Sequence, residues 1–278
     1  MRIDSIRLEN YRCHADLTVE FGPGFNVIVG VNGSGKTSLL SAICDALNGL
    51  FRHRQFPGMP EVLADEAVRL LVMRTGGRFQ FEPQYPVKIA ANAVESDATT
   101  IRWSVERSSQ VSLPMVEAPP AGQVRSLPSF GARPTLALSL LVFYRANRHW
   151  SYGGPPELQA AMVRSSRADG YANWWNASLD GAAFLTWVVA KHIERLAELS
   201  DGGEQARSTD DDELAVLNIA LGRTFEDFLC LRYDFKRKSV LVEWLPEASR
   251  DPTPFENLSD GQKAVIGLVA DIARRMCL

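Results

Sequence analysis

Residues 30–38 read GVNGSGKTS, and Gly30 to Thr37 fit the spacing G-x-x-x-x-G-K-[ST]. Each residue type in that pattern has a physical job. The glycines let the backbone wrap closely and turn its amide hydrogens inward, toward phosphate oxygens. Lys36 supplies a point charge for the β- and γ-phosphates of a nucleotide, and the Thr37 hydroxyl suits a magnesium ion. The flanks supply the required context. FNVIVG, residues 25–30, is a short β-branched run that reads as a buried strand. After the loop, Leu39, Leu40, Ile43, Ala46 and Leu47 recur at helical spacing, with Gly49 placed for a left-handed stop. Strand, glycine loop and helix follow one another as the motif demands.

Bulk properties narrow the field. The chain has 278 residues, 46% hydrophobic and 23% charged, with a net charge of −3. That length supports one large or two modest domains with a real core. No global basic field favours nucleic acid, so any such contact must be local. Cys13, Cys44, Cys230 and Cys277 have no paired spacing, which fits a reducing, cytoplasmic setting rather than disulfides or zinc. His14, His53, His149 and His192 lie far apart and form no metal or acid–base group. No apolar stretch is long enough to span a bilayer, and Arg2, Asp4, Arg7 and Glu9 interrupt any leader-like run. No membrane role is expected.

The N-terminal segment MRIDSIRLENYRCHADLTVEF reads as two alternating strands, with Ile6 and Leu8 on one and Val19 and Phe21 on the other. Together with NVIVGVNGSGKTS it resembles the ABC-type ATPases of the RecF, SMC and OLD group. The resemblance implies an α/β head with a phosphate-loop core sheet, an antiparallel β layer and a helical lobe. It implies ATP and Mg2+ as ligands, the latter at Thr37. It also implies nucleotide contacts from Gly30, Asn32, Gly33, Ser34, Gly35, Lys36, Thr37 and Ser38. Arg12, after the aromatic Tyr11, is either a further nucleotide contact or a surface charge.

Residues 66–109 read as antiparallel strands, AVRLLVMR, RFQFEPQYPVKIAANAV and TTIRWSVERS, separated by turn residues. They match the expected β layer. Gln80 and Gln84 lie there without the strand-to-helix context of a magnesium-reaching glutamine, and both are set aside. Residues 111–134 are a Pro-, Ser- and Gly-rich loop. LALSLLVFYRANRHW then reads as a buried strand emerging at Arg145, Asn147 and Arg148. FYRANR resembles a strand end of the Septu-type anti-phage ATPases, and Arg148 is a phosphate sensor, a domain contact or a surface ion pair.

From residue 150 the pattern turns helical, which divides the chain into a phosphate-loop lobe at 1–149 and a helical lobe at 150–278. One helix carries Phe184, Trp187, Val188 and Leu196, another Leu214, Leu217 and Leu221. Neither sustains heptads, so no coiled-coil arm is expected. Trp174 and Trp175 suit the lobe core. LRYDFKRKSVLVEWL is a hairpin whose Lys236, Arg237 and Lys238 suit either a solvated turn or the phosphates of DNA.

The stretch NLSDGQ, residues 257–262, holds a capping box, Ser259 and Gln262, before a helix with an expected apolar stripe at Val265, Leu268, Val269, Ile272 and Met276. Arg274 and Arg275 near its end suit the helix dipole. A capped helix start is itself an anion site. Leu258 to Gln262 resemble the ABC signature LSGGQ, with Asp260 for the first glycine. By that resemblance Ser259, Asp260, Gly261 and Gln262 bind the γ-phosphate held by a second subunit. ATP then joins two copies of the chain, as a homodimer or higher oligomer.

An ABC-type ATPase also needs an apolar strand ending in Asp-Glu and a later histidine. No four apolar residues precede an Asp-Glu here; Asp65-Glu66 follows only Leu63-Ala64. Nucleotide binding with negligible hydrolysis is therefore expected, and a longer native product or a second chain is expected to complete the sheet. Three roles fit the resemblance. The leading one is a defence ATPase working with a nuclease partner; the alternatives are a RecF- or SMC-like DNA-repair ATPase and an ATP-binding regulatory subunit that does not hydrolyse ATP. A transporter subunit fits least.

Overall fold

The computed structural model describes residues 1–51, 59–120, 123–124, 139–145, 166–201 and 212–278. The fold is mixed α/β. The chain forms two compact units, Met1–Ser139 and Leu140–Leu278.

The first unit is built on a five-stranded antiparallel sheet of order β2-β1-β5-β6-β7. Its strands are β1 (Arg2–Tyr11), β2 (His14–Glu20), β5 (Val87–Val94), β6 (Thr100–Arg107) and β7 (Met115–Glu117). Alternate residues face one side, so Ile6 and Leu8, then Ile89, Ala91 and Ala93, then Ile101, Trp103 and Val105 form one buried layer. Helix α1 (Lys36–Phe51) covers it with Leu39, Ala42, Ala46 and Leu47. Trp103 Nε1 donates to the Ala46 carbonyl at 2.8 Å, which satisfies the indole inside the core. Gly49 does not end this helix. It is a buried helical residue, and a Cβ there would stand 2.6 Å from Val105 Cγ2. Its role is to let helix and sheet approach.

RFQFEPQYPVKIAANAV is not one strand. Pro86, which has no N–H to give a ladder, separates β4 (Arg78–Gln84) from β5. Among the described residues strand β4 pairs with β3 (Arg69–Thr75) alone, as a two-stranded ribbon through Val72↔Phe81 and Arg74↔Phe79. Leu70, Val72, Phe79 and Phe81 on that ribbon are exposed.

FNVIVG also differs from expectation. No strand among the described residues pairs with it, and Phe25, Val27 and Val29 are 96%, 71% and 87% exposed. Its β-branched composition suits a buried strand, but within the described residues no partner buries it.

Among the described residues, the second unit places three α-helices around a three-stranded sheet of order β10-β9-β8. The helices are α2 (Gly181–Asp201), α3 (Glu213–Gly222) and α4 (Asp260–Cys277). The strands are β8 (Phe228–Asp234), β9 (Ser239–Trp244) and the two-residue β10 (Thr253–Pro254). Phe184, Val188, Leu214, Leu217, Val242 and Ile266 meet in one core. Asp212 caps α3 by accepting from Ala215 N–H at 2.9 Å. Trp174 and Trp175 are buried, as core residues should be. Leu196, expected on the buried stripe of α2, is exposed.

Two further expectations are corrected here. Residues 139–145 are not part of any sheet; Phe143 instead exchanges backbone hydrogen bonds with Trp174 and Ala177 (2.6 and 3.1 Å). Helix α4 turns a different face inward. Ile266, Ala270 and Ala273 are buried, whereas Val265 and Met276 are 39% and 72% exposed. The reason is a buried charge cluster at Asp271, Arg274 and Arg275, which occupies interior positions that hydropathy assigns to the surface. The two arginines therefore serve that cluster rather than a solvated helix end.

His192 on α2 ties this core to β8. Its Nδ1 lies 2.9 Å from the Val188 carbonyl, and its Nε2 lies 3.4 Å from Tyr233 N–H. Both contacts suit the neutral ring with the proton on Nδ1, and burial holds the pKa below its ordinary 6.5. The unfolded chain therefore binds this proton at a higher pH than the folded one. Stability is complete above about pH 6.5 and falls as pH drops through that value toward the lowered folded pKa. Urea titrations at pH 7.5 and 5.5 should show a lower midpoint at pH 5.5, and His192→Gln should reduce that difference. An unchanged difference in the variant would remove His192 as its source.

Candidate nucleotide site

The phosphate loop is shaped by its own short-range contacts. Asn26 locks the turn before it: Oδ1 accepts from Gly22 N–H at 2.8 Å, and Nδ2 donates to the Gly22 and Gly24 carbonyls. Gly33 and Gly35 have φ of 84° and 89°, a region in which L side chains are strained. A Cβ on Gly33 would meet nothing within 4 Å, so that side of the loop is open. A Cβ on Gly35 would stand 2.5 Å from His14 Nε2 and 2.7 Å from Cys13 Sγ, so the opposite side is closed.

Leu39 N–H donates to the Gly35 carbonyl at 2.9 Å, the first full helical bond of α1. The amides of Gly35, Lys36, Thr37 and Ser38 thus come before the helical ladder, at the positive end of the helix dipole. Lys36 Nζ lies over the loop and donates to the carbonyls of Gly30 (2.7 Å) and Val31 (2.8 Å). Asn32, Gly33, Ser34 and Thr37 are exposed. An open face, amides outside the ladder and a cation at the loop mouth fit a nucleotide triphosphate. Thr37 stands exposed on the first turn of α1, beside these amides. Among the described residues no group of three or more His, Cys, Asp or Glu side chains forms a metal cluster.

The β1–β2 turn is built against this loop. Arg12 has φ of 49°, an uncommon value for a non-glycine residue, and its amide donates to the Ala67 carbonyl at 2.8 Å. The turn aims its guanidinium at α1, where Nη1 lies 3.4 Å from Ser41 Oγ, while Nε is buried with no hydrogen-bond partner among the described residues. Cys13 Sγ lies 3.7 Å from Ser38 Oγ, and His14 Nε2 lies 3.3 Å from the Gly35 carbonyl. Tyr11 is buried, and its hydroxyl donates to Asp45 of α1 at 2.7 Å. Burial, reinforced by the Asp45 charge, pushes the Tyr11 pKa well up, so it stays a donor. Arg12 was the one member of this turn legible in the sequence. Cys13 and His14 carried no signal beyond being its neighbours.

The second unit holds the other candidate stretch. Ser259 is the N-cap of α4, and the capping box closes in both directions. Ser259 Oγ accepts from Gln262 N–H at 3.3 Å, and Gln262 Oε1 accepts from Ser259 N–H at 3.1 Å. Ser259, Asp260 and Gly261 are exposed, and a Cβ on Gly261 would meet nothing within 4 Å. Arg145 is exposed, with its guanidinium 6.0 Å from the Phe143 ring centroid. Asn147 and Arg148 lie outside the described residues. Gln84 Nε2 is engaged locally, 3.2 Å from the Glu82 carbonyl.

A glycine loop opening a helix, with an arginine turn folded against it, defines a P-loop nucleotide-binding unit. Comparison with known proteins agrees. Residues 5–112, less than half of the chain, match the AAA domain family AAA_23. The Structural maintenance of chromosomes protein 6B of Arabidopsis thaliana is 35% identical over 83 residues, 28% of this chain and 8% of that protein. The DNA double-strand break repair Rad50 ATPase of Halobacterium salinarum is 51% identical over 49 residues, 18% of this chain and 6% of its own length. The DNA replication and repair protein RecF of Pediococcus pentosaceus is 51% identical over 43 residues, 16% of this chain and 12% of that protein. The N-terminal unit is thus similar to the P-loop ATPases of the SMC, Rad50 and RecF kind. The chain spans no more than 12% of the length of these relatives. Among the described residues, no helix is long and apolar enough to cross a membrane.

Proposed function

We propose that this chain is the ATP-binding head of an SMC-, Rad50- and RecF-like ATPase that works on DNA in repair. The phosphate loop carries the reading, because its open face, its unladdered amides and Lys36 make a triphosphate cradle. In this reading the Gly30 to Ser38 stretch and Arg12 hold ATP, and Thr37 shares its magnesium. Residues 1–149 form the ATP-binding lobe and 150–278 the lobe carrying the signature. Ser259, Asp260, Gly261 and Gln262 present a capped helix start to the γ-phosphate on a second copy, so that ATP joins two chains. ATP bound there supplies the phosphates that link the two surfaces; the chain's own residues bind and orient them.

Binding rather than hydrolysis is assigned to these 278 residues, since no run of four apolar residues in their sequence precedes Asp-Glu. Turnover by this chain that Lys36→Ala abolishes would overturn that assignment. The names of the relatives speak of chromosome maintenance and DNA repair. An anti-phage role with a nuclease partner has only the resemblance of FYRANR in its favour, so the repair reading leads.

The test is sedimentation of the chain with and without a slowly hydrolysed ATP analogue and magnesium. A monomer that becomes a dimer only with nucleotide is expected. Ser259→Arg should abolish the dimer while leaving analogue affinity within about twofold, because an exposed substitution away from the loop changes little there. An oligomeric state indifferent to nucleotide would overturn the reading.

A further inference from the structure

The β8–β9 hairpin ends in a turn whose chemistry the nucleotide site does not use. Residues 232–239 read RYDFKRKS. Asp234 Oδ1 accepts from the amides of both Lys236 (2.8 Å) and Arg237 (3.1 Å), which fixes the backbone of the tip. These two bonds hold the Asp234 carboxyl below the usual range. Lys238 completes the turn at φ 54°. The side chains of Lys236, Arg237 and Lys238 are all exposed. Arg232 is engaged by Glu243 at 2.6 Å, so it does not belong to the tip.

The aromatic residue beside the cations carries the further step. Phe235 is 46% exposed and stands edge-on to the buried Tyr233, with ring centroids 4.9 Å apart and an interplanar angle of 83°. Tyr233 is in turn held by His192. Phe235 therefore packs against a buried ring with much of its own ring presented to solvent, next to three exposed cationic side chains. Exposed aromatic and adjacent cations form the combination that grips single-stranded nucleic acid: charges track phosphates and the ring stacks a base. The positive tip on a chain of net charge −3 supplies the local complementarity to a polyanion.

We propose that the β8–β9 turn is a contact for single-stranded nucleic acid. Lys236, Arg237 and Lys238 neutralise phosphates, and Phe235 stacks a base. The proposal rests on the DNA-repair reading above and names the element that touches the strand.

The experiment is fluorescence anisotropy of the full chain with a labelled oligothymidine and with a labelled duplex, each at several salt concentrations and with or without the ATP analogue. Wild type should prefer the single strand. The triple variant Lys236→Gln, Arg237→Gln, Lys238→Gln should bind it more weakly and lower the log–log salt slope by about 2, near 0.7 per lost phosphate contact. Phe235→Ala should weaken single-strand binding about tenfold and leave the salt slope unchanged. All four side chains are exposed at a turn, and unchanged thermal midpoints and analogue affinity confirm intact variants. If wild type binds neither nucleic acid under any condition, the DNA reading falls and this proposal with it. If wild type binds but the triple variant has the same affinity and slope, only the turn is overturned. Binding to phosphatidylserine vesicles in place of nucleic acid would likewise overturn it.

Discussion

Lys36→Ala should lower affinity for a fluorescent ATP analogue by roughly 10- to 100-fold. In the structure Nζ is held at the loop mouth by the Gly30 and Val31 carbonyls. A triphosphate offers it oxygens that carry full negative charge, and a hydrogen bond to a charged group contributes about 1.5–3 kcal/mol. Removing the ammonium forfeits that difference, which sets the expected range. Lys36→Arg should not restore binding. A planar guanidinium is wider than an ammonium and cannot follow the same path through a loop closed on one side by Cys13 and His14. The variant's stability without nucleotide should stay within about 0.5 kcal/mol, as for other positions outside the core. Thermal stabilisation separates the two proteins most clearly. A ligand at a hundred times its Kd adds about 2.7 kcal/mol, so wild type should gain several degrees at concentrations where the variant gains little. Equal affinity in wild type and variant would mean that the loop does not hold phosphate.

The phosphate loop and the capping box were legible because their chemistry is local. Gly33 and Gly35 are needed for backbone conformation, and Ser259 and Gln262 bond across three residues, so short strings of sequence contain the whole interaction. The hairpins were legible for the same reason. Long-range partners were not. FNVIVG has the composition of a buried strand, but composition does not say which strand lies beside it. The exposed ribbon of β3 and β4 reads in sequence like the adjoining β5 and β6, yet only the latter pair joins the large sheet. Gly49 looked like a helix stop because glycine serves both as a stop and as a point of close approach. Only the neighbouring Val105 tells the two apart.

The face of α4 failed for a deeper reason, and it leads to the largest expected loss of stability. Asp271→Asn should destabilise the second unit by about 3–5 kcal/mol. Asp271 is fully buried, and its carboxylate accepts from three groups: Tyr144 Oη at 2.8 Å, Arg275 Nε at 2.8 Å and Arg274 Nη2 at 3.0 Å. Arg275 Nη1 also donates to the carbonyls of Gly170 (2.7 Å) and Ala172 (2.9 Å). One carboxylate thus faces two buried guanidiniums, and backbone oxygens carry part of the remaining charge. Burial, with the Asp271 charge behind it, pushes the Tyr144 pKa up, so its hydroxyl remains a donor. The amide that Asp271→Asn introduces would keep an oxygen for one donor but remove the buried negative charge that both guanidiniums face. That is the costly half of removing a buried pair, and it exceeds the worth of the pair itself. In a unit of this size the loss corresponds to a fall in thermal midpoint of roughly 10 °C. The cluster also links α4 to residues 144 and 170–172, so the helix that Ser259 caps is fixed along its length. Replacing all three charges, Asp271→Leu, Arg274→Leu and Arg275→Met, should recover part of the stability, because the carboxylate and the two guanidiniums it accepts from are then removed together. A loss below about 1 kcal/mol in Asp271→Asn would show that water or backbone carbonyls already satisfy the arginines, and the cluster would then have no claim to hold α4 in place.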